Sequence, residues 1–154
     1  GTRVLLYEAG EALRFDEFSI RAGIKGVINV LRHLKMMPKS RGKKRELNYF
    51  IANNSGWLRA SESGFVTHHF KLGDHVRAGQ VLAEIGGPYG DVLDQVVAKK
   101  DGVIIGKQNI PLVQEGEAMY HIAYFQEDDE EIAGHIENVE DELVNNGTNG
   151  KALL

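Results

Sequence analysis

The sequence predicts a mainly β chain with some α (α+β): a barrel or sandwich of short strands, preceded by one strand and one helix of α/β type. Three features point there. The first is an imperfect internal repeat. Ala60, Gly64 and Val66 are echoed 38 positions later by Ala98, Gly102 and Ile104. After one net deletion, Val76, Gly79, Leu82 and Ile85 are echoed 37 positions later by Val113, Gly116, Met119 and Ile122. Two copies of a short strand-and-turn unit imply quasi-two-fold symmetry, because neither copy buries its apolar face alone. The second is the run of β-formers from Trp57 to Phe125, broken by glycines at short intervals with no helical period between. The third is the 3.6-residue spacing of Ile20, Ile24, Val27, Ile28, Leu31 and Leu34.

Along the chain, Val4-Leu5-Leu6-Tyr7 is an apolar run that predicts a buried strand over residues 4–8, closed by a turn at Gly10. Domains rarely open inside a buried strand, so the expectation is a C-terminal piece of a longer protein. Asp16 is the expected N-cap of the following helix, and Met36-Met37-Pro38 its end. Residues 1–37 therefore read as the end of an α/β domain. Residues 38–56 read as a linker and connecting strand, the strand over residues 47–51. The linker's basic run (Lys39, Arg41, Lys43, Lys44, Arg45) fits a solvated connection better than a phosphate or RNA site. Residues 57–125 are the β-domain. Residues 126–154 form an acidic tail, with a helix suggested by Ile132, Ile136, Val139 and Leu143 before a polar end.

Composition excludes several classes. A chain of 154 residues with 42% apolar content can bury a core. No run of 18 apolar residues suggests a membrane span, and no signal peptide is visible. The absence of cysteine removes disulfides and thiolate metal sites and fits a reducing, cytoplasmic setting. A net charge of −4 argues against nucleic acid as the partner.

The stretches Gly73-Asp74-His75-Val76-Arg77-Ala78-Gly79-Gln80-Val81-Leu82 and Val97-Ala98-Lys99-Lys100-Asp101-Gly102-Val103 resemble the two half-motifs of the biotinyl/lipoyl module, a barrel-sandwich hybrid. Those carriers attach their cofactor to a lysine at an exposed hairpin tip. Here the intervening Gly86 to Gln95 contains no lysine. Lys99 and Lys100 lie in the second half-motif and read as solvated turn residues, so no swinging arm is expected.

The segment Leu6-Tyr7-Glu8-Ala9-Gly10-Glu11-Ala12-Leu13-Arg14-Phe15 resembles the last catalytic-domain strand of the succinylglutamate desuccinylase/aspartoacylase family, which are zinc hydrolases of the carboxypeptidase type. The resemblance continues through Asn29 to Met36 and again from Trp57 to Tyr124. It implies that the whole protein hydrolyses an amide bond of a small N-acyl substrate with one Zn2+. It also implies that Glu8 is the catalytic base and acid, taking a proton from a zinc-activated water and passing it to the leaving amine. The family's His-x-x-Glu pair and later histidine precede its glutamate, and the seven residues before Glu8 hold none, so the ligands are expected upstream of Gly1. From the residues alone, Glu8 reads as an ordinary strand-end acid paired with Arg14 or Arg3 rather than as a catalytic group, and Glu11, past the turn, as a supporting or surface group.

The local histidines offer less. His68 and His69 are adjacent and face opposite sides of a strand. His75 lies in a turn region, and a site there lacks a clear third ligand. His33 reads as a surface or packing residue, and His121, alternating with Ile122 in a strand, as facing solvent or the catalytic domain. Tyr89 and Asp91, in the loop where carriers hold their lysine, are candidates for shaping substrate access. A homo-oligomer is compatible with the apolar surface of the first strand and helix. The rival class is a non-enzymatic lipoyl-like adaptor in which Glu8 is incidental.

Overall fold

The computed structural model describes residues 1–40 and 51–124. They fall in two compact units, one containing residues 1–40 and the other residues 51–124. In the first, α1 spans Glu17–His33. Its N-cap is Asp16, as the sequence predicts: Phe18 and Ser19 donate their backbone N–H groups to Asp16 Oδ1 at 3.0 and 3.3 Å, and the Ser19 hydroxyl donates to Oδ2 at 2.8 Å. Glu17 at the start and Arg32 and His33 at the end complement the helix dipole. The stop comes before Pro38. Lys35 takes a left-handed φ of 60°, its N–H donates to Arg32 O, and the Met36 N–H reaches back to Leu31 O at 2.9 Å. That pair of bonds is a Schellman closure, with lysine in the place usually held by glycine.

The strand predicted over residues 4–8 does not form. These residues take no regular structure, and Val4, Leu5 and Leu6 are at least 80% exposed. A buried strand needs a ladder partner, and none of the described residues supplies one. The apolar stripe of α1 is likewise open: Ile20, Ile24, Val27 and Leu34 are exposed, while Ile28 and Leu31 are half-buried. No described helix is long and apolar enough to cross a membrane.

The second unit is all β, so the described chain is mainly β with one helix. Its strands are β1 (Asn54–Arg59), β2 (Gly64–His68), β3 (His75–Val76), β4 (Val81–Gly86), β5 (Val92–Val97), β6 (Gly102–Lys107), β7 (Leu112–Val113) and β8 (Ala118–Tyr124). They form two antiparallel four-stranded sheets, ordered β1-β8-β6-β3 and β5-β4-β2-β7. No pairing among the described strands closes them into a barrel. One apolar cluster, with Val76, Leu82, Ile85, Ile104, Met119 and Ile122 at its centre, draws on both sheets. The first strand starts at Asn54, slightly before the predicted boundary at Trp57. Ile51 is exposed and not in a strand. Residues 41–45 of the linker, most of the predicted connecting strand and the acidic tail lie outside the described residues.

The repeat becomes a structural dyad. Exchanging β1 with β5, β2 with β6, β3 with β7 and β4 with β8 turns one sheet order into the other. Each sheet therefore takes two strands from each copy, and neither copy makes a sheet by itself. The hydrogen bonds obey the same exchange. The Gly79 N–H donates to Ala98 O and the Gly116 N–H to Ala60 O, both at 2.8 Å. The Ala78 N–H donates to Asp101 Oδ1 at 2.7 Å and the Glu115 N–H to Ser63 Oγ at 2.9 Å. Gly64 shows why the repeat keeps glycine: a Cβ there would lie 2.5 Å from Gly86 O across the sheet, and Gly102 meets Ala123 O in the same way. The change of offset has a cause as well. The register of β6 jumps between Ile104 and Gly106, a bulge at Ile105 that β2 lacks. The connection from β6 to β7 is then two residues shorter than that from β2 to β3.

Candidate functional site

Glu8 lies in the irregular segment ahead of α1, exposed, with no hydrogen bond or ion pair among the described residues. Arg14 pairs instead with Glu11, at 3.3 Å on the surface. The residues flanking Glu8 are held. Tyr7 donates its hydroxyl to Ser19 O at 2.8 Å, and its ring lies so close to Gly23 that a Cβ there would come within 2.9 Å of Cε1. Gly10, with φ of +81°, sits against the cap, where a Cβ would meet Asp16 Cβ and Ser19 Oγ at 3.5 Å. The hydrogen bonds from Ser19, side chain first, hold the Asp16 carboxyl below its ordinary range, so the cap stays charged.

Tyr89 and Asp91 share the β4–β5 loop but not one surface. The Gly87 N–H donates to Asp91 O at 2.8 Å and the Gly90 N–H to Gly87 O at 3.2 Å. The Asp91 carboxylate folds onto Gly87. It lines an open depression of about 380 Å3 with Phe65, Thr67, Glu84, Pro88 and Val92. Tyr89 is 97% exposed and does not line it.

His68 and His69 face opposite sides, as predicted: His69 is exposed and His68 turns inward. His68 Nδ1 lies 2.6 Å from the hydroxyl of Tyr120, which is fully buried and donates to Leu82 O at 2.8 Å. The tyrosine proton is spent on the carbonyl, so the bond to His68 requires that Nδ1 carry the imidazole hydrogen. Nε2 is left as a buried acceptor without a partner among the described residues. Burial, then the nearby charges of Lys107 and His69, lowers the His68 pKa to about 4. Burial also lowers the Lys107 pKa and raises that of Tyr120. Sequence reasoning missed Tyr120. The available signal is its repeat mate, Ala83: a large ring with a polar tip replaces a methyl at a core position. The outer face of the β1-β8-β6-β3 sheet carries a second feature. Trp57 and His121 stack with centroids 4.3 Å apart, and His121 Nε2 lies 2.9 Å from Ser55 Oγ. His75 is half-buried in β3, and Lys99 and Lys100 lie in the exposed turn before β6. Among the described residues, no three His, Asp or Glu side chains cluster to hold a metal ion.

No protein-family model matches the chain, and no curated protein does. Solved structures do. One is a succinylglutamate desuccinylase/aspartoacylase from Rhodobacter sphaeroides, with a TM-score of 0.61 and 18% identity over 75% of this chain and 38% of its own. The fold is that of a part of these succinylglutamate desuccinylase/aspartoacylase structures. The ectoine utilization protein EutE (DoeB) from Ruegeria pomeroyi matches with a TM-score of 0.61 and 19% identity over 71% of this chain and 35% of its own. A succinylglutamate desuccinylase from Silicibacter sp. TM1040 matches with a TM-score of 0.59 and 19% identity over 72% and 35%. The chain thus spans little more than a third of these desuccinylase/aspartoacylase structures. The share of this chain that matches exceeds either of its two units, so the likeness is not confined to the β unit.

Proposed function

We propose that this chain is the C-terminal part of a zinc-dependent hydrolase that cleaves the amide bond of a small N-acyl amino acid or a related compound. The observation that carries this is the fold likeness to several desuccinylase/aspartoacylase structures across more than the β unit. The order of elements supports it, since the Glu8 segment and α1 precede the dyad-related sheets. The zinc is proposed to be held by residues upstream of Gly1, where the family resemblance puts the His-x-x-Glu pair and the later histidine. What this chain contributes is a carboxylate. Glu8 takes a proton from the attacking water as its oxygen bonds to the acyl carbon. As the C–N bond breaks, the carboxylic acid returns that proton to the leaving nitrogen.

The β unit is read as a barrel-sandwich hybrid of the lipoyl/biotinyl type serving as scaffold. The dyad supports that reading, and the lysine-free stretch Gly86 to Gln95 removes the carrier function. Asp91 and, at the loop tip, Tyr89 are proposed to shape substrate access. The proposed setting is cytoplasmic, with a small-molecule substrate and room for a homo-oligomer.

The test is Glu8→Gln in the complete polypeptide, assayed on a panel of N-acyl amino acids with zinc content measured in parallel. Loss of general acid–base catalysis should lower kcat by about 10²–10⁴-fold while leaving zinc bound. Unchanged turnover would reject the assignment. Absence of hydrolysis by the wild-type protein across the panel would favour the non-enzymatic adaptor.

A further inference from the structure

Glu8 is held on both sides by one helix end, and we infer that Tyr7 is a positioning residue for it, seated by Gly23. This rests on the reading of Glu8 as the base. A carboxylate that must meet a water and then a leaving nitrogen cannot wander, since a misplacement of about 1 Å can cost about 100-fold in rate. Among the described residues Glu8 lies in no helix or strand, and none of them holds its backbone in a ladder. Its fixation comes from its neighbours. One residue before it, Tyr7 hydrogen-bonds Ser19 O at 2.8 Å. Two residues after it, Gly10 packs on the Asp16–Ser19 cap. Both anchors fall within the first turns of α1, so Glu8 rides on a short bridge between two points of one rigid element.

Gly23 is the seat that makes the first anchor possible. The Tyr7 ring occupies the space of a side chain at that position. Glycine inside a helix costs about 1 kcal/mol relative to alanine, and here the absent methyl admits a ring. Gly26, one turn on, has nothing within 4 Å of the position of a Cβ and provides a matched comparison.

Tyr7→Phe keeps the ring and removes the hydroxyl. Gly23→Ala pushes the ring off its seat while favouring the helix, so a lower rate in that variant cannot come from a weakened helix. In the complete protein, both changes should lower kcat about 10–100-fold with KM within about two-fold, while Gly26→Ala leaves both constants unchanged. Adding Tyr7→Phe to Glu8→Gln should cost nothing more, because a positioning residue acts through the group it positions. Wild-type kcat in Tyr7→Phe, or a loss of equal size in the Glu8→Gln background, would overturn the inference while leaving Glu8 as base. Full activity in Glu8→Gln itself would overturn the underlying reading, and the inference with it.

Discussion

Replacing Tyr120 with phenylalanine tests whether its hydroxyl ties the two sheets together. The ring is fully buried, and phenylalanine preserves its packing. What disappears is an oxygen engaged twice: it donates to Leu82 O at 2.8 Å and accepts from His68 Nδ1–H at 2.6 Å. Tyr120 belongs to β8 and Leu82 to β4, so the bond spans the sheets. Each group left unpaired in the interior costs about 1–3 kcal/mol. His68 is half-buried and regains some hydration, which places the net loss at about 2–4 kcal/mol. With a urea slope of about 1–3 kcal/mol per molar, the unfolding midpoint should fall by about 1 M or more. Trp57, the single tryptophan, sits in β1 and reports the transition by fluorescence. An unchanged slope with a lowered midpoint is the expected result. A midpoint within about 0.2 M of wild type would show that water replaces the hydroxyl without penalty, and the cross-sheet tie would fail as an account of the core.

The same site predicts a pH dependence. The folded pKa of His68 is about 4 against an ordinary value of 6.5 for histidine, so the unfolded chain binds more protons in that window. Stability is then full above pH 6.5 and falls as pH drops towards 4. The whole shift corresponds to about 3 kcal/mol, and solvent screening of a half-buried ring reduces it to about 1–2 kcal/mol. Thermal melts from pH 7.5 to 4 should show the decline in wild type and a flatter profile in His68→Gln; parallel profiles would refute the assignment. Gly64→Ala and Gly102→Ala should destabilise to a similar extent, about 1–3 kcal/mol each, because both methyl groups meet backbone oxygen across a strand pair. A penalty at one site only, measured by urea melts, would break the equivalence. In the complete hydrolase, Asp91→Asn should change KM for the substrate by a few-fold and Tyr89→Ala by less, since Asp91 lines the depression and Tyr89 does not; equal kinetics in both variants and wild type would remove the loop from substrate access.

The repeat made the strands legible because core positions recur at an offset of 38 and then 37, and most buried residues have a buried mate, Ala60 with Ala98 and Ile85 with Ile122. It could not show which strands pair. A repeat reports equivalence, and equivalence fits two separate four-stranded sheets as well as two sheets that exchange strands. Asp16 was legible because an N-cap is a local device, read from the residue and the helical period that follows. The end of α1 was less so, since it depends on a left-handed Lys35 rather than on Pro38. Residues 4–8 form no strand among the described residues, because an apolar run reports a demand for burial, not the neighbours that satisfy it. At the candidate site, Glu8 was visible as a residue and its anchors were not. The contact of Tyr7 with Gly23 joins residues 16 apart, and no local period marks it.

The dyad also indicates where the two copies are free to differ. Inner positions must agree, because each copy packs against the other's equivalents across one core. Outer positions carry no such constraint, and there the copies diverge. The stacked Trp57 and His121 of one sheet correspond to Gln95 and Glu84 of the other, which are joined by a hydrogen bond of 3.1 Å. Tyr120 departs from this agreement inside the core, as does His68 beside it, whose mate is Lys107. The mate of Tyr120 is Ala83, so a ring fills on one side the space that a methyl leaves on the other, and its hydroxyl ends at Leu82 and His68, both in the sheet opposite its own. A symmetric core could house neither that tyrosine twice nor a polar tip without a partner. His68 faces inward by the alternation of β2, and the ring that breaks the dyad brings a hydroxyl to meet it there.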